Sequence, residues 1–206
     1  MNSLKKLQGE VKKRIRNDPA HDYSHIMRVC KNAQTIARHE KADPRLVLAA
    51  ALLHDMVQYP KSDKRSKTSS IKSARLAEKI LARYSFTKKE ILTISDAIRD
   101  HSYSRKKTPA TLVGKILQDA DRLDALGAIG IARTFSVGGS EKRPIYHEMD
   151  PFCQKRRPDD KSWTVDHFYQ KLLRLEKKMH TKYAKKEARN RTRLMRKFIG
   201  SLKREL

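Results

Sequence analysis

Two apolar stretches of this chain are interrupted by carboxylates, and any fold the chain adopts must accommodate them. The first is LVLAAALLHDM, residues 46–56, where His54 and Asp55 close an otherwise greasy run. The second is KILQDADRLDALGAIGIA, residues 115–132, carrying Asp119, Asp121 and Asp124. Burying an unpaired carboxylate costs several kcal/mol or more, roughly the scale of a domain's whole stability. Each acidic group therefore lies at an exposed helix end or faces something cationic. For the first helix taken alone, the exposed end is the simpler reading. Two such helices, with histidines nearby, are what a divalent cation held between them requires.

Both stretches are helical in pattern, and so is most of the chain. Only 7 Gly and 7 Pro among 206 residues argue against a loop-rich β-sandwich and for long helices. The length suits one domain with a real core, built mostly from Leu, Ile, Ala and Val since aromatics are only 6%. A basic amphipathic helix is predicted near 4–16, ended by Asn17-Asp18-Pro19. A second starts near Ser24, with Ile26, Val29, Ala33, Ile36 and Ala37 at helical spacing. Asp43 as cap and Pro44 at the first helical position open a third, to about 57. YPKSDKRSKTSS reads as a loop. Helices follow at 70–84, capped by Ser69 or Ser70, at 87–101, capped by Thr87, and from Thr111 on through Phe135.

Residues 136–162 hold Gly138-Gly139, Pro144, Pro151 and Pro158 and predict a long ordered loop or lid. From Thr164 the chain is again helical. Its last part, 171–206, carries fourteen lysines and arginines against three glutamates. Leu172, Leu175, Met179, Leu194, Phe198 and Leu202 are the candidates for packing one of its faces, so a docked helix with a charged outer face is expected. The expectation is an all-α, single-domain helical bundle over 1–206. Its core is about 20–135, its loop 136–162, and its C-terminal helical part 163–206.

Charge narrows the partners. Lys and Arg total 48 against 23 Asp and Glu, a formal charge of +25. Such a surface draws anions over a Debye length: a small phosphorylated molecule, nucleic acid or an acidic membrane. Charge does not choose among these. A basic nucleic-acid-binding protein on a helical scaffold is the alternative to an enzyme, though few aromatics are present for base stacking. The cationic C-terminus makes a poor seam for a homo-oligomer. Cys30 and Cys153 form no disulfide framework, the N-terminal residues lack a secretory signal, and the longest apolar stretch, Leu46–Leu53, is too short for a bilayer. A cytoplasmic protein with reduced thiols is expected.

Mixed imidazole and carboxylate ligands suit Mn, Fe, Co or Ni better than Mg. In HDYSHIMRV, residues 21–29, His21 and His25 lie one helical turn apart, and spacing does not decide between them. His101, closing its helix, is accounted for by a dipole interaction alone. His39 and His180 are expected on the surface, His147 in the loop, and His167 at a helix start.

HDYSHIMRV, then ALLHDM, then QDADRLDALGAIGIARTF, taken in order, resemble the motifs of the HD-domain metal-dependent phosphohydrolase superfamily. The small stand-alone bacterial branch is the nearest in pattern. TSSIKSA at 68–74, HSYS at 101–104 and DHFYQKLLRL at 166–175 add to the likeness, which covers about 20–200. A two-residue His-Asp match means nothing alone, since His21-Asp22 is another; the ordered set is specific. The resemblance implies a helical bundle with one divalent metal ion held by His25, His54, Asp55 and Asp121. It further implies a phosphohydrolase acting by metal-activated water, with nucleotides the favoured substrates. Within that frame Asp55 doubles as a group orienting the water, and His101 is a catalytic candidate. Arg28, Lys61, Lys64, Arg65 are candidates for the substrate phosphate, Arg28 being equally suited to an ion pair with Asp55 or another helix. Arg122 and Asp124 flank Asp121 as bridging groups behind it.

Overall fold

A computed structural model describes residues 2–14, 22–59 and 63–206. It is all-α: among these residues there is no strand, and no helix is long and apolar enough to cross a membrane. The predicted turn at 17–19, His21 and Lys61 lie outside the described residues. Two compact units divide the chain, one ending at Asp121 and one running from Arg122 to Leu206.

The first unit is built around α3. Helix α1 (Asn2–Arg14) buries Leu7 and Val11 and packs on α3. Helix α2 (Tyr23–His39) is capped by Asp22, whose carboxylate accepts from the His25 amide at 2.8 Å. Its inner face is His25, Ile26, Val29, Cys30, Ala33, Ile36 and Ala37, a stripe with one histidine at its start. Helix α3 (Pro44–Leu53) begins as predicted, with Asp43 accepting from Arg45 and Pro44 at the first position. It ends at Leu53 rather than near 57. The imidazole of His54 turns back and meets the Ala51 carbonyl at 2.8 Å, satisfying a carbonyl that another helical turn would otherwise use.

Helix α4 (Ser69–Leu81) follows a 3₁₀ turn, Lys64–Thr68, which Asp63 caps. The expected cap by Ser69 or Ser70 does not form: both lie within the helix, Ser70 is buried, and the cap position falls to Thr68, whose side chain makes no capping bond. Helix α5 (Lys88–Asp100) carries a full capping box between Thr87 and Glu90. Helix α4 packs on α5, and α3 on both α2 and α5.

Helix α6 (Leu112–Asp124) does not run on to Phe135 as its apolar pattern suggested. Leu126 is extended and Gly127 takes φ +76°, a left-handed conformation that glycine adopts without strain, and α7 (Gly127–Ser140) starts there. The second unit continues with residues 141–165, which form the long non-helical segment expected, shortened at its start by α7. Asp150 orders it by accepting from the amides of Gln154, Lys155 and Arg156 at 2.8–3.2 Å. The fully buried carboxylate of Asp166 grips the Arg156 guanidinium through both oxygens, at 2.5 and 2.7 Å. Arg156 also stacks over Trp163, against which His147 packs.

Helix α8 (Asp166–Gln170), in which His167 pairs with Asp160, leads through two 3₁₀ turns to α9 (Lys182–Glu205). Thr181 caps α9, which packs on α7. The buried face of α9 is Ala184, Ala188, Thr192 and Met195; Leu172, Leu175 and Met179 are buried before it. Leu194, expected to pack, is 45% exposed because its position lies off that face. Phe198 does pack, with its ring 5.8 Å from Phe135 and 5.9 Å from Phe168. His180 is half-buried rather than on the surface, with Nε2 3.3 Å from Arg122. Cys30 and Cys153 are free thiols, and burial pushes Cys30 up to about 12.

Candidate metal centre

Four helices of the first unit bring five chemistry-bearing side chains to one place. His25 comes from the first turn of α2, His54 and Asp55 from the end of α3, His101 from the end of α5, and Asp121 from α6. His25, His54 and His101 are buried, while Asp55 and Asp121 retain 17% and 30% side-chain exposure. The imidazoles pack edge to face, with His54 5.4 Å from His25 and 5.0 Å from His101.

Their nitrogens converge on the carboxylates. His25 Nε2 is 3.7 Å from Asp55 Oδ2 and 3.7 Å from Asp121 Oδ1. His54 Nε2 is 3.6 Å from Asp55 Oδ2, and His101 Nε2 is 3.7 Å from Asp55 Oδ1. These separations are too long for hydrogen bonds. They match atoms sharing an ion, because two ligands each about 2.1 Å from one cation lie up to about 4.2 Å apart. Ligand atoms of His25, His54 and Asp121 all fall within 4.8 Å of one another, as do those of His54, Asp55 and His101. The cluster can hold a metal ion.

Protonation supports the same fit. With Nδ1 of His54 against the Ala51 carbonyl and Nδ1 of His101 against the Ile98 carbonyl at 2.6 Å, each ring carries its proton there. The Nε2 lone pair of His54 then faces Asp55 Oδ2 at 3.6 Å, acceptor against acceptor. His54 Nε2 is buried and makes no hydrogen bond. Burial pushes the His54 pKa down to about 4, against a smaller upward pull from Asp55, so the ring is a neutral ligand at pH 7. For Asp121 burial raises the pKa, but His54, His25 and His101 together outweigh it and hold the group below the ordinary carboxylate value. A neutral buried imidazole facing carboxylates is a donor set that a divalent metal ion takes.

The other candidates are placed differently. Arg28 lies half-buried one turn after His25 and donates to Ser24 Oγ at 2.7 Å. Arg65 is exposed; its guanidinium is gripped by Asp63 and stacks over Tyr59, 4.6 Å away, while Lys64 beside it is exposed. Arg122 donates to the Lys178 carbonyl and touches His180, and the Asp124 carboxylate accepts from Arg133 at 2.6 Å. Two residues that shape the site escaped the sequence reading. Gln118, fully buried one turn before Asp121, brings Nε2 within 3.0–3.2 Å of the carbonyls of Asp100, His101 and Lys107. Asn32 donates to the Ala120 carbonyl at 3.2 Å. An uncharged amide on an apolar helix face is the only signal Gln118 gives in sequence.

This fold and this arrangement of histidine, histidine-aspartate and aspartate define a class, and the comparison with known families agrees: the chain belongs to the HD domain family, whose pattern matches residues 22–126. Among individual proteins it is 32% identical over 190 residues to YpgQ of Bacillus subtilis (strain 168), an uncharacterized protein, covering 90% of this chain and 84% of that one. A crystal structure of Bacillus subtilis YpgQ in complex with ADP matches with a TM-score of 0.78 at 30% identity, over 100% of this chain and 95% of that one. A HD-superfamily hydrolase from Bacillus thuringiensis matches with a TM-score of 0.76 at 33% identity, over 99% and 96%.

Proposed function

We propose that this protein is a divalent-metal-dependent phosphohydrolase acting on nucleotides, with His25, His54, Asp55 and Asp121 holding one ion, Mn, Fe, Co or Ni in preference to Mg. The observation that carries the reading is the convergence of the buried His25 and His54 Nε2 atoms to 3.6–3.7 Å from carboxylate oxygens of Asp55 and Asp121, the spacing of ligands around one ion. When bound, such an ion supplies Lewis acidity toward a phosphoryl oxygen and acidifies water.

The chain's own groups do the rest. Asp55 keeps part of its carboxylate open to solvent and is placed to orient a water and accept its proton. His101, with Nε2 3.7 Å from Asp55 Oδ1, is the second catalytic candidate beside it. The carbonyl of Ile98 keeps the His101 ring turned toward Asp55. Arg28, on the same helix as His25 and one turn away, is a candidate to meet phosphate, as it is to pair with a carboxylate. Lys64 and Arg65, with Lys61, are the further candidates; Arg65 must trade its grip on Asp63 for a phosphate oxygen. Nucleotides are favoured because the related YpgQ is known in complex with ADP.

The test is a screen of nucleoside mono-, di- and triphosphates with Mn, Co, Ni and Mg. The expected result is metal-dependent release of phosphate or pyrophosphate that Asp121→Ala lowers by two or more orders of magnitude. Hydrolysis undiminished in Asp121→Ala excludes the centre.

A further inference from the structure

Helix α9 is densely cationic, and its charge is sorted. At 100° per residue, the side chains from Lys182 to Arg204 that fall within a stripe about 120° wide are all lysine or arginine, except Gly200. All nine of those cations are exposed. The acids of the helix, Glu187 and Glu205, lie off the stripe. Its apolar face is already used, with Ala184, Ala188, Thr192 and Met195 buried within the protein.

Such sorting works against the helix itself. Lys182 and Lys186, Lys185 and Arg189, Arg189 and Arg193, and Arg193 and Lys197 each set like charges at i,i+4, where alternating signs would stabilise. Among the described residues the acid paired with the stripe is Glu176, 3.8 Å from Arg189, which stays largely exposed. An external polyanion removes this repulsion.

We propose that the exposed face of α9 is a docking surface for the backbone of double-stranded nucleic acid, read without regard to sequence. The stripe is about 33 Å long, at 1.5 Å per residue, so a mononucleotide spans only a turn of it and a polymer is needed to fill it. Each strand of a duplex presents one phosphate per about 3.4 Å, close to the one cation per about 3.7 Å along the stripe. No aromatic side chain lies in the stripe, so unpaired bases find nothing to stack on. Membrane-surface helices need an apolar flank to insert, whereas the centre of that face of α9 is buried and Leu194, 45% exposed, is the large apolar side chain of the helix most open to solvent.

The test is fluorescence anisotropy of the full-length protein with 20-base-pair mixed-sequence DNA and RNA duplexes between 50 and 200 mM KCl. The expected outcome is binding to both that weakens about a thousandfold over that range, as five or six phosphate contacts require. The quadruple variant Lys186→Gln, Arg189→Gln, Arg193→Gln, Arg196→Gln, at surface positions, should keep its helix content by circular dichroism. Its logarithmic salt slope should flatten by about three to four and its affinity fall at least tenfold. The charge-preserving R189K, R193K, R196K variant should bind like wild type. A wild-type protein that ignores both duplexes at 50 mM KCl overturns the proposal, as does a quadruple variant with an unchanged slope. So does binding to vesicles of three parts phosphatidylcholine to one part phosphatidylserine in preference to either duplex.

Discussion

Nε2 of His25 stands 3.7 Å from Oδ1 of Asp121, a nitrogen at the start of α2 meeting a carboxylate near the end of α6. Neither helix can shift without separating them, so a bound ion joins distant parts of the chain. Ligation should therefore stabilise the fold. At a hundredfold excess over its dissociation constant an ion adds about 2.7 kcal/mol. In thermal scans Mn should raise the Tm of the wild type, and His25→Gln or Asp121→Asn should cancel the rise.

The His54 ring gives the metal-free protein a pH dependence. Its pKa is about 4 in the fold and ordinary, near 6.5, when unfolded. Between those values the unfolded chain binds the extra proton, so this ring's contribution is full above pH 6.5 and is lost as pH falls toward 4. The loss approaches about 3 kcal/mol. Urea unfolding in chelator at pH 7.5, 5.5 and 4.5 should show it, and His54→Gln should lose that part of the slope.

Gln118 holds the chain at 100–107 through three carbonyls and so sets where His101 points. Gln118→Leu preserves the volume and removes the donors. Metal affinity or turnover should fall about 10–100-fold, as when groups supporting a metal's ligands are removed. Titration with Mn alongside steady-state kinetics separates the two.

The ion pair between Arg156 and the buried Asp166 organises residues 141–165. Asp166→Ala strands a guanidinium and frees the amide of Asp159, which donates to the same carboxylate at 2.7 Å. A loss of about 3 kcal/mol is expected. Limited proteolysis should cut first within 141–165 in the variant and not in the wild type.

Much of this molecule was legible in its sequence because its helices are amphipathic and their caps are local. Asp43-Pro44 and the Thr87–Glu90 box announce their helices by chemistry within four residues. Carboxylates inside apolar runs marked Asp55 and the set Asp119, Asp121 and Asp124, and the family resemblance chose Asp121, which the structure brings together with His25, His54 and Asp55. Long-range or geometric facts stayed hidden. The apolar period runs past Leu53, where α3 ends with the His54 ring meeting the Ala51 carbonyl. The same period runs through Ala125 and Leu126, where a left-handed Gly127 breaks the chain into two helices. Spacing left His21 and His25 equal. His101 was ambiguous as a helix end and became part of the cluster only once α5 was placed beside α3.

Metal analysis of the protein as purified, without added ions, tests the central claim most directly. Elemental analysis should find about one equivalent of a divalent transition metal per chain in the wild type, and little in Asp55→Asn or His54→Gln variants that keep their helical circular dichroism. Metal-free wild-type protein that takes up no Mn, Fe, Co or Ni on titration would contradict it.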